Sequence, residues 1–287
     1  MAPVRQSRQF LLSLVLLAVL AVSVLAAWVM VRVRQAPIAR GQAILRQMRD
    51  RTLQEFWGDK PDMTWLLTRE PGGQPVGYMA RARWRTDEGY EGAVFATVQG
   101  HRQAERWSID PSASAGTYVG DIGWMAATET FITLSAGRVT VRQGRSKPVA
   151  KAAPGNYIPE GLMWLVVAEV SKTDKSAVFS MVFNAEAIQL DDVNFTTITM
   201  TPLGDGNVRV RADLLAGRID QTYQVDSQGN VVRVEDNADH SVSSVVDVKE
   251  LAKLFPEATE LVPFLQNRSD HTTQPQAPEI SPTSFEL

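Results

Sequence analysis

The chain has 287 residues, 44% hydrophobic and 21% charged, with a formal net charge of −3. That balance excludes a globally disordered chain, and the absence of cysteine excludes disulfides, Fe–S clusters, thiolate zinc sites and cysteine nucleophiles. Charge is laid out unevenly: residues 1–51 carry eight arginines against the single acid Asp50, and the remainder holds 21 basic and 31 acidic residues. A basic apolar end before an acidic body suits a membrane-proximal segment with a soluble head, and argues against nucleic acid as partner.

After a short basic tail, residues 1–9, Phe10 to Val31 is a run of 22 residues without a charge, "FLLSLVLLAVLAVSVLAAWVMV". At 1.5 Å rise per residue it is long enough to span a hydrocarbon core of about 30 Å. Trp28, Arg32, Arg34 and Arg40 fall where residues of the membrane interface are expected. The segment reads as an uncleaved transmembrane anchor, with the tail cytoplasmic and the head extracytoplasmic (periplasmic). The competing reading is a signal peptide cleaved near Ala26, which would release the head as a secreted protein.

Pro37 is expected to interrupt the helix, and the Arg-rich stretch that completes residues 32–57 to form a second one. There Ile44, Leu45, Met48 and Phe56 recur at helical spacing. Two roles stay open for it. One is an interfacial helix whose arginines meet anionic headgroups, worth about 1 kcal/mol per charge; the other is a connecting helix that packs its apolar stripe on the head.

From Asp62 the hydrophobic period becomes two. In "PVGYMARARWR", Val76, Tyr78, Ala80, Ala82 and Trp84 share one face, and Met79, Arg81, Arg83 and Arg85 the other. Such alternation predicts an antiparallel strand with one buried and one wet face; the arginines read as a solvent face, or as a basic stripe for an acidic ligand. "TDEG" turns the chain into "YEGAVFATVQ". The rhythm continues through "AERWSID", "ETFITL" and "GRVTVRQG", and later through "SAVFSMVF", "NFTTITMT", "NVRVRADL", "GRIDQTYQV", "NVVRVED" and "VSSVVDV". Gly/Asn/Asp turns such as "LGDGN" and "DSQGN" separate several of them. The expected fold is mainly β: a curved antiparallel sheet, half-barrel or barrel-like, over residues 58–266, with one or two short covering helices.

The first of those helices interrupts the strands at "PGNYIPEGLMWLVVAEV", residues 154–170. Pro159 is expected at its first position, and Leu162 to Val170 is apolar nearly all round, so the helix must be covered on most sides. It is either buried against the sheet or a lid over a cavity, and Tyr157, Leu162, Trp164, Leu165 and Val166 are the candidate ligand-binding residues. In the second, "VVDVKELAKLFP", Asp247 caps the first turn and Pro256 stops the run. Residues 267–287 have the Pro/Ser/Thr/Gln composition of a disordered tail.

Chemistry is scarce. No Gly-rich nucleotide loop, GxSxG elbow, Ser-x-x-Lys or HExxH is present. Asp236, Asp239 and His240 match no calcium or zinc spacing. Nothing nominates a catalytic residue, a metal or a cofactor.

The "GGQPVGY" start, the long alternating hairpins, the Pro-flanked apolar helix and the "DSQGNVVRVE" hairpin together resemble the curved half-barrel domains of bacterial envelope proteins. That class includes the LolA and LppX carriers of lipoproteins and lipids. The similarity covers about residues 60–256 and carries no residue over one for one; the lipobox cysteine of the lipid-modified members is missing. It implies a membrane-anchored module that binds a lipid or other apolar ligand in the concavity of its sheet. The alternative is a structural or assembly component of the envelope, acting through protein partners.

Overall fold

A computed structural model of the chain describes residues 3–57, 63–98, 101–122, 129–159, 161–215 and 217–261. The expected disordered tail lies outside them. Helix α1, Pro3–Trp57, is one continuous helix of 55 residues that contains Pro37, where a break was expected. Proline's fixed φ is helical, so inside a helix it removes one N–H donor without forbidding the turn, and the residues beyond it are held by packing. Leu45, Met48 and Leu53 are buried in the main core with Ile44 against them. The stripe therefore packs on the head, the second of its two roles.

Eight strands form a first meander: β1 Met63–Arg69, β2 Pro75–Arg85, β3 Tyr90–Val98, β4 His101–Ile109, β5 Gly116–Ile122, β6 Thr130–Ser135, β7 Arg138–Gln143 and β8 Val149–Ala152. After α2, Met163–Ser171, come β9 Ala177–Met181 and a small ribbon of β10 Ile188–Gln189 with β11 Asp192–Val193. Then follow β12 Thr196–Gly204, β13 Asn207–Leu214, β14 Gly217–Val225, β15 Val231–Asp236 and β16 Val242–Val245. Fourteen of these make one antiparallel sheet, ordered β8-β7-β6-β5-β4-β3-β2-β1-β16-β15-β14-β13-β12-β9. The last strand, β16, returns to pair with the first, Leu66 opposite Val245, and joins the two meanders at the centre.

The sheet is open, with β8 and β9 as its edges. An unpaired edge invites association, and the chain covers β9 itself. The Ile158 amide donates to the Ser180 carbonyl at 2.8 Å, and the Ser180 amide to the Asn156 carbonyl at 2.9 Å. On the same strand, a Cβ at Gly41 of α1 would lie 2.2 Å from the Val178 carbonyl oxygen, so the helix backbone reaches β9 only because the position is glycine.

Sequence periodicity located most strands but not β1, β5, β8 or the two-residue strands β10 and β11. In β1, "MTWLLTR", four consecutive residues are buried, which erases the alternation of a half-wet strand. β5 holds two glycines, and β8 has four residues, too few for a period.

The sheet is covered on both faces. Tyr78, Ala80, Ala82 and Trp84 of β2 join Trp65, Leu67, Ala93 and Phe95 in an apolar cluster closed by Leu251, Ala258 and Leu261. Those last three come from α3, Val248–Leu254, and the 3-10 turn and its end that follow it. Asp247 caps α3 by accepting from the Lys249 amide at 2.7 Å, and Pro256 starts the 3-10 turn. On the other face, α2 packs on β12, β13 and β14 while its Trp164 lies over Arg81 of β2. One helix touching both meanders requires the sheet to curve around it, with α2 on the concave side. The arginine face of β2, expected to be wet, points into that concavity at Arg81.

Candidate ligand cavity

The cavity is built from strand register. Arg81 of β2 lies opposite Val94 of β3, which lies opposite Glu105 of β4; one step along, Met79, Ala96 and Gln103 repeat the row. Leu214, Ile219, Gln221 and Tyr223 form the far wall, Met163 and Trp164 the roof, and Met181 to Asn184 continue it. The space, which is partly open to solvent, is about 560 Å³, within the range of small-molecule sites.

Two glycines shape its floor. A Cβ at Gly92 would lie 2.2 Å from Cζ2 of Trp107, and one at Gly161 would lie 2.4 Å from Cδ2 of the same ring. The indole is thus held between two backbones that carry no side chain. Gly161 has φ +86°, a left-handed conformation that an α-helix excludes. This is why α2 begins at Met163, with Leu162 as its N-cap, and not at Pro159 as expected.

Of the five residues chosen from sequence, Trp164 lines the cavity. Tyr157, Leu162, Leu165 and Val166 are buried in the core beside it. The larger part of the lining was not singled out, because it comes from alternate residues of strands whose partners are distant in sequence. The one signal available was Arg81, a charge in the middle of a strand.

The polar groups of the cavity are unevenly matched. The Arg81 guanidinium carbon sits 3.6 Å from the Trp164 ring centroid. Among the described residues, no side chain or carbonyl hydrogen-bonds to the Arg81 guanidinium or forms an ion pair with it within 4 Å. Burial pushes its pKa down to about 10; the neighbouring Tyr223 and Glu105 oppose that shift and Arg83 adds to it. Glu105 is pushed upward by burial, against the hydrogen bond from Tyr118, the charge of Arg81 and the hydrogen bond from Gln103. Tyr118 in turn accepts from Asn184 Nδ2 at 2.7 Å. Gly120 leaves room for that contact, since a Cβ there would lie on the Asn184 amide. Burial pushes Tyr223 up to about 12, and its hydroxyl donates to Gln221 Oε1 at 2.9 Å. The arrangement suits binding: a half-buried cation with free donors, beside an acid already engaged, faces an apolar wall of Met79, Val94, Ala96 and Met163, and the exposed Arg102 adds a second positive charge to the lining. Among the described residues, no group of three or more His, Asp or Glu is placed to hold a metal ion.

Outside the head, Val19–Arg51 of α1 is long and apolar enough to cross a membrane, and its most apolar stretch is exposed. Arg32 stacks on Trp28 at 4.6 Å from the ring centroid, and Arg34 is exposed. Arg40 turns to the head and donates to the Ser176 carbonyl at 2.6 Å.

The protein is therefore a mainly β, open half-barrel preceded by an apolar helix. No family model matches the chain, and no curated protein matches it. Among solved structures, it is similar to a β-barrel-like protein of the domain of unknown function DUF1849 from Brucella abortus, at 12% identity and a TM-score of 0.45. That alignment covers 64% of this chain and 95% of the other. A protein with a YmcC-like fold from Bacteroides fragilis aligns at 10% identity and a TM-score of 0.22, over 64% of this chain and 92% of its own.

Proposed function

We propose that the chain is a membrane-anchored, extracytoplasmic module that holds a lipid or other apolar ligand in the concavity of its half-barrel, in the manner of the LolA and LppX carriers it resembles in sequence organisation. Residues 10–31 are the anchor, 32–57 the link to the head, and 58–266 the binding domain. The observation that carries this reading is the cavity of about 560 Å³ beneath α2, walled by Met79, Val94, Ala96, Met163 and Phe183. A purely structural component has no use for such a space, because unfilled apolar volume forfeits packing. The basic amino-terminal tail supports a cytoplasmic amino terminus.

The test is native mass spectrometry of the full chain purified in detergent. One apolar molecule per chain is expected to survive detergent exchange, and to be lost from Ala96→Trp, which fills the cavity. A chain that emerges empty from repeated mild preparations, or an Ala96→Trp chain that keeps its lipid, overturns the reading.

A further inference from the structure

Resting on that reading of the cavity, we propose that Arg81 is an anion receptor. The ligand is an amphiphile whose terminal oxyanion, a carboxylate or a phosphate, takes the Arg81 guanidinium while its chain lies along Met79, Val94, Ala96 and Met163.

The argument is one of unmet valence. A guanidinium presents five N–H donors in its plane, and only its face is used when it stacks on an aromatic ring. Trp164 takes that face at 3.6 Å, and no acceptor among the described residues takes the edge. The nearby Glu105 accepts from Tyr118 and Gln103 and lies beyond ion-pair distance of Arg81. Arg81 is half-buried, so its edge donors stay available to an acceptor that enters the cavity, and an oxyanion there would gain a charge-assisted pair in a partly desolvated site. The group stays protonated up to about pH 10, so its charge persists at neutral pH. The forked donors match carboxylate and phosphate oxygens, while a neutral headgroup would leave the charge unanswered. The chain beyond the headgroup finds an apolar wall, and the indole of Trp164 holds the fork at a fixed angle to it.

The test uses the full chain in detergent micelles, labelled by palmitate that carries a photoreactive diazirine in its chain. Palmitate, hexadecyl phosphate, 1-hexadecanol and inorganic phosphate compete at equal amounts. Label is expected in the peptides that contain Met163 or Met181. Palmitate or hexadecyl phosphate should block it at about tenfold lower concentration than hexadecanol, the factor that one charge-assisted hydrogen bond supplies; the stronger of the two names the headgroup. In Arg81→Met that difference should vanish while hexadecanol still competes. Equal blocking by hexadecanol in the wild-type chain overturns the anion receptor and leaves the apolar cavity standing. Inorganic phosphate blocking as well as the long-chain anions overturns the amphiphile. No label in the cavity overturns both the receptor and the proposed function. The headgroup comparison needs no variant, so it decides the matter even where Arg81→Met does not fold.

Discussion

Strand β2 presents two faces to two covers. On one side Tyr78, Ala80, Ala82 and Trp84 pack under α3 into an apolar cluster, with the Phe255 ring 5.2 Å from that of Tyr78. On the other, Met79 and Arg81 of the same strand look into the cavity that α2 roofs. The contrast runs against composition. α3, "VKELAKL", is mixed in character yet seals its face; α2, "MWLVVAEVS", is mostly apolar yet leaves space. An apolar helix over a sheet is thus no measure of how fully it fills what lies beneath. Position decides: α3 lies on the convex side, where Trp65, Tyr78, Trp84 and Phe95 fill the space beneath it, whereas α2 spans a concavity that Trp107 and Tyr118 fill only in part.

The largest way to break this contrast lies on the sealed face. Leu251 is fully buried, and Leu251→Ala should destabilise the head by about 3 kcal/mol, read as a lowered urea midpoint. Ligand retention at temperatures where the variant is folded should be unchanged, because the cavity lies across the sheet. A loss of ligand equal to that of Ala96→Trp would show that the two faces are not independent.

The opposite sign is expected on the concave face. Replacing a poorly compensated buried charge by an apolar side chain of similar length often stabilises a protein. Arg81 is half-buried, so Arg81→Met should raise the stability of the ligand-free chain by no more than about 1 kcal/mol, measured by chemical denaturation, while abolishing the preference for anionic headgroups. Unchanged or lower stability would mean that Arg81 is already well satisfied within the fold.

The smallest effect is a dependence on alkaline pH. The pKa values of both Tyr78 and Tyr223 are raised by burial, Tyr223 to about 12. The folded chain keeps those protons longer than the unfolded one, so the contribution of both tyrosines is intact below about pH 10 and is lost as pH rises beyond it. Arg81 acts the other way. Burial lowers its folded pKa from the ordinary guanidinium value to about 10, so above pH 10 the folded chain sheds a charge that burial disfavours, and stability is gained. The stability gap between Arg81→Met and wild type should therefore shrink as pH climbs past 10, in denaturation curves run at stepped pH. A constant gap would place Arg81 in a better solvated site.

Legibility in the sequence followed the range of the interactions involved. The alternation of residues 75–85 located β2 and separated its two faces correctly, since period two depends only on the strand itself. The wetter face was also placed correctly, since Met79, Arg81 and Arg83 stay partly exposed, but what that face lines was not legible, because it depends on the curvature of a fourteen-stranded sheet and on a helix some eighty residues away. The start of α2 was misplaced for a similar reason: Pro159 is a good first helical residue locally, but Gly161 is left-handed, and its lack of a Cβ admits the Trp107 ring from a distant strand. At Pro37 a local rule was outweighed by the docking of Leu45, Met48 and Leu53.

The sequence by itself thus determined the apolar amino-terminal helix, the antiparallel β architecture and its covering helices, and the absence of cysteine chemistry, all of which follow from composition and from periods read within one segment. Only the tertiary structure decided that β16 closes back on β1, that the edge of β9 is covered by residues 156–158, and that Arg81, Glu105, Tyr118 and Tyr223 converge on one space. Those residues come from four strands joined by register and curvature, and no local period records which distant strands will face each other across a concavity.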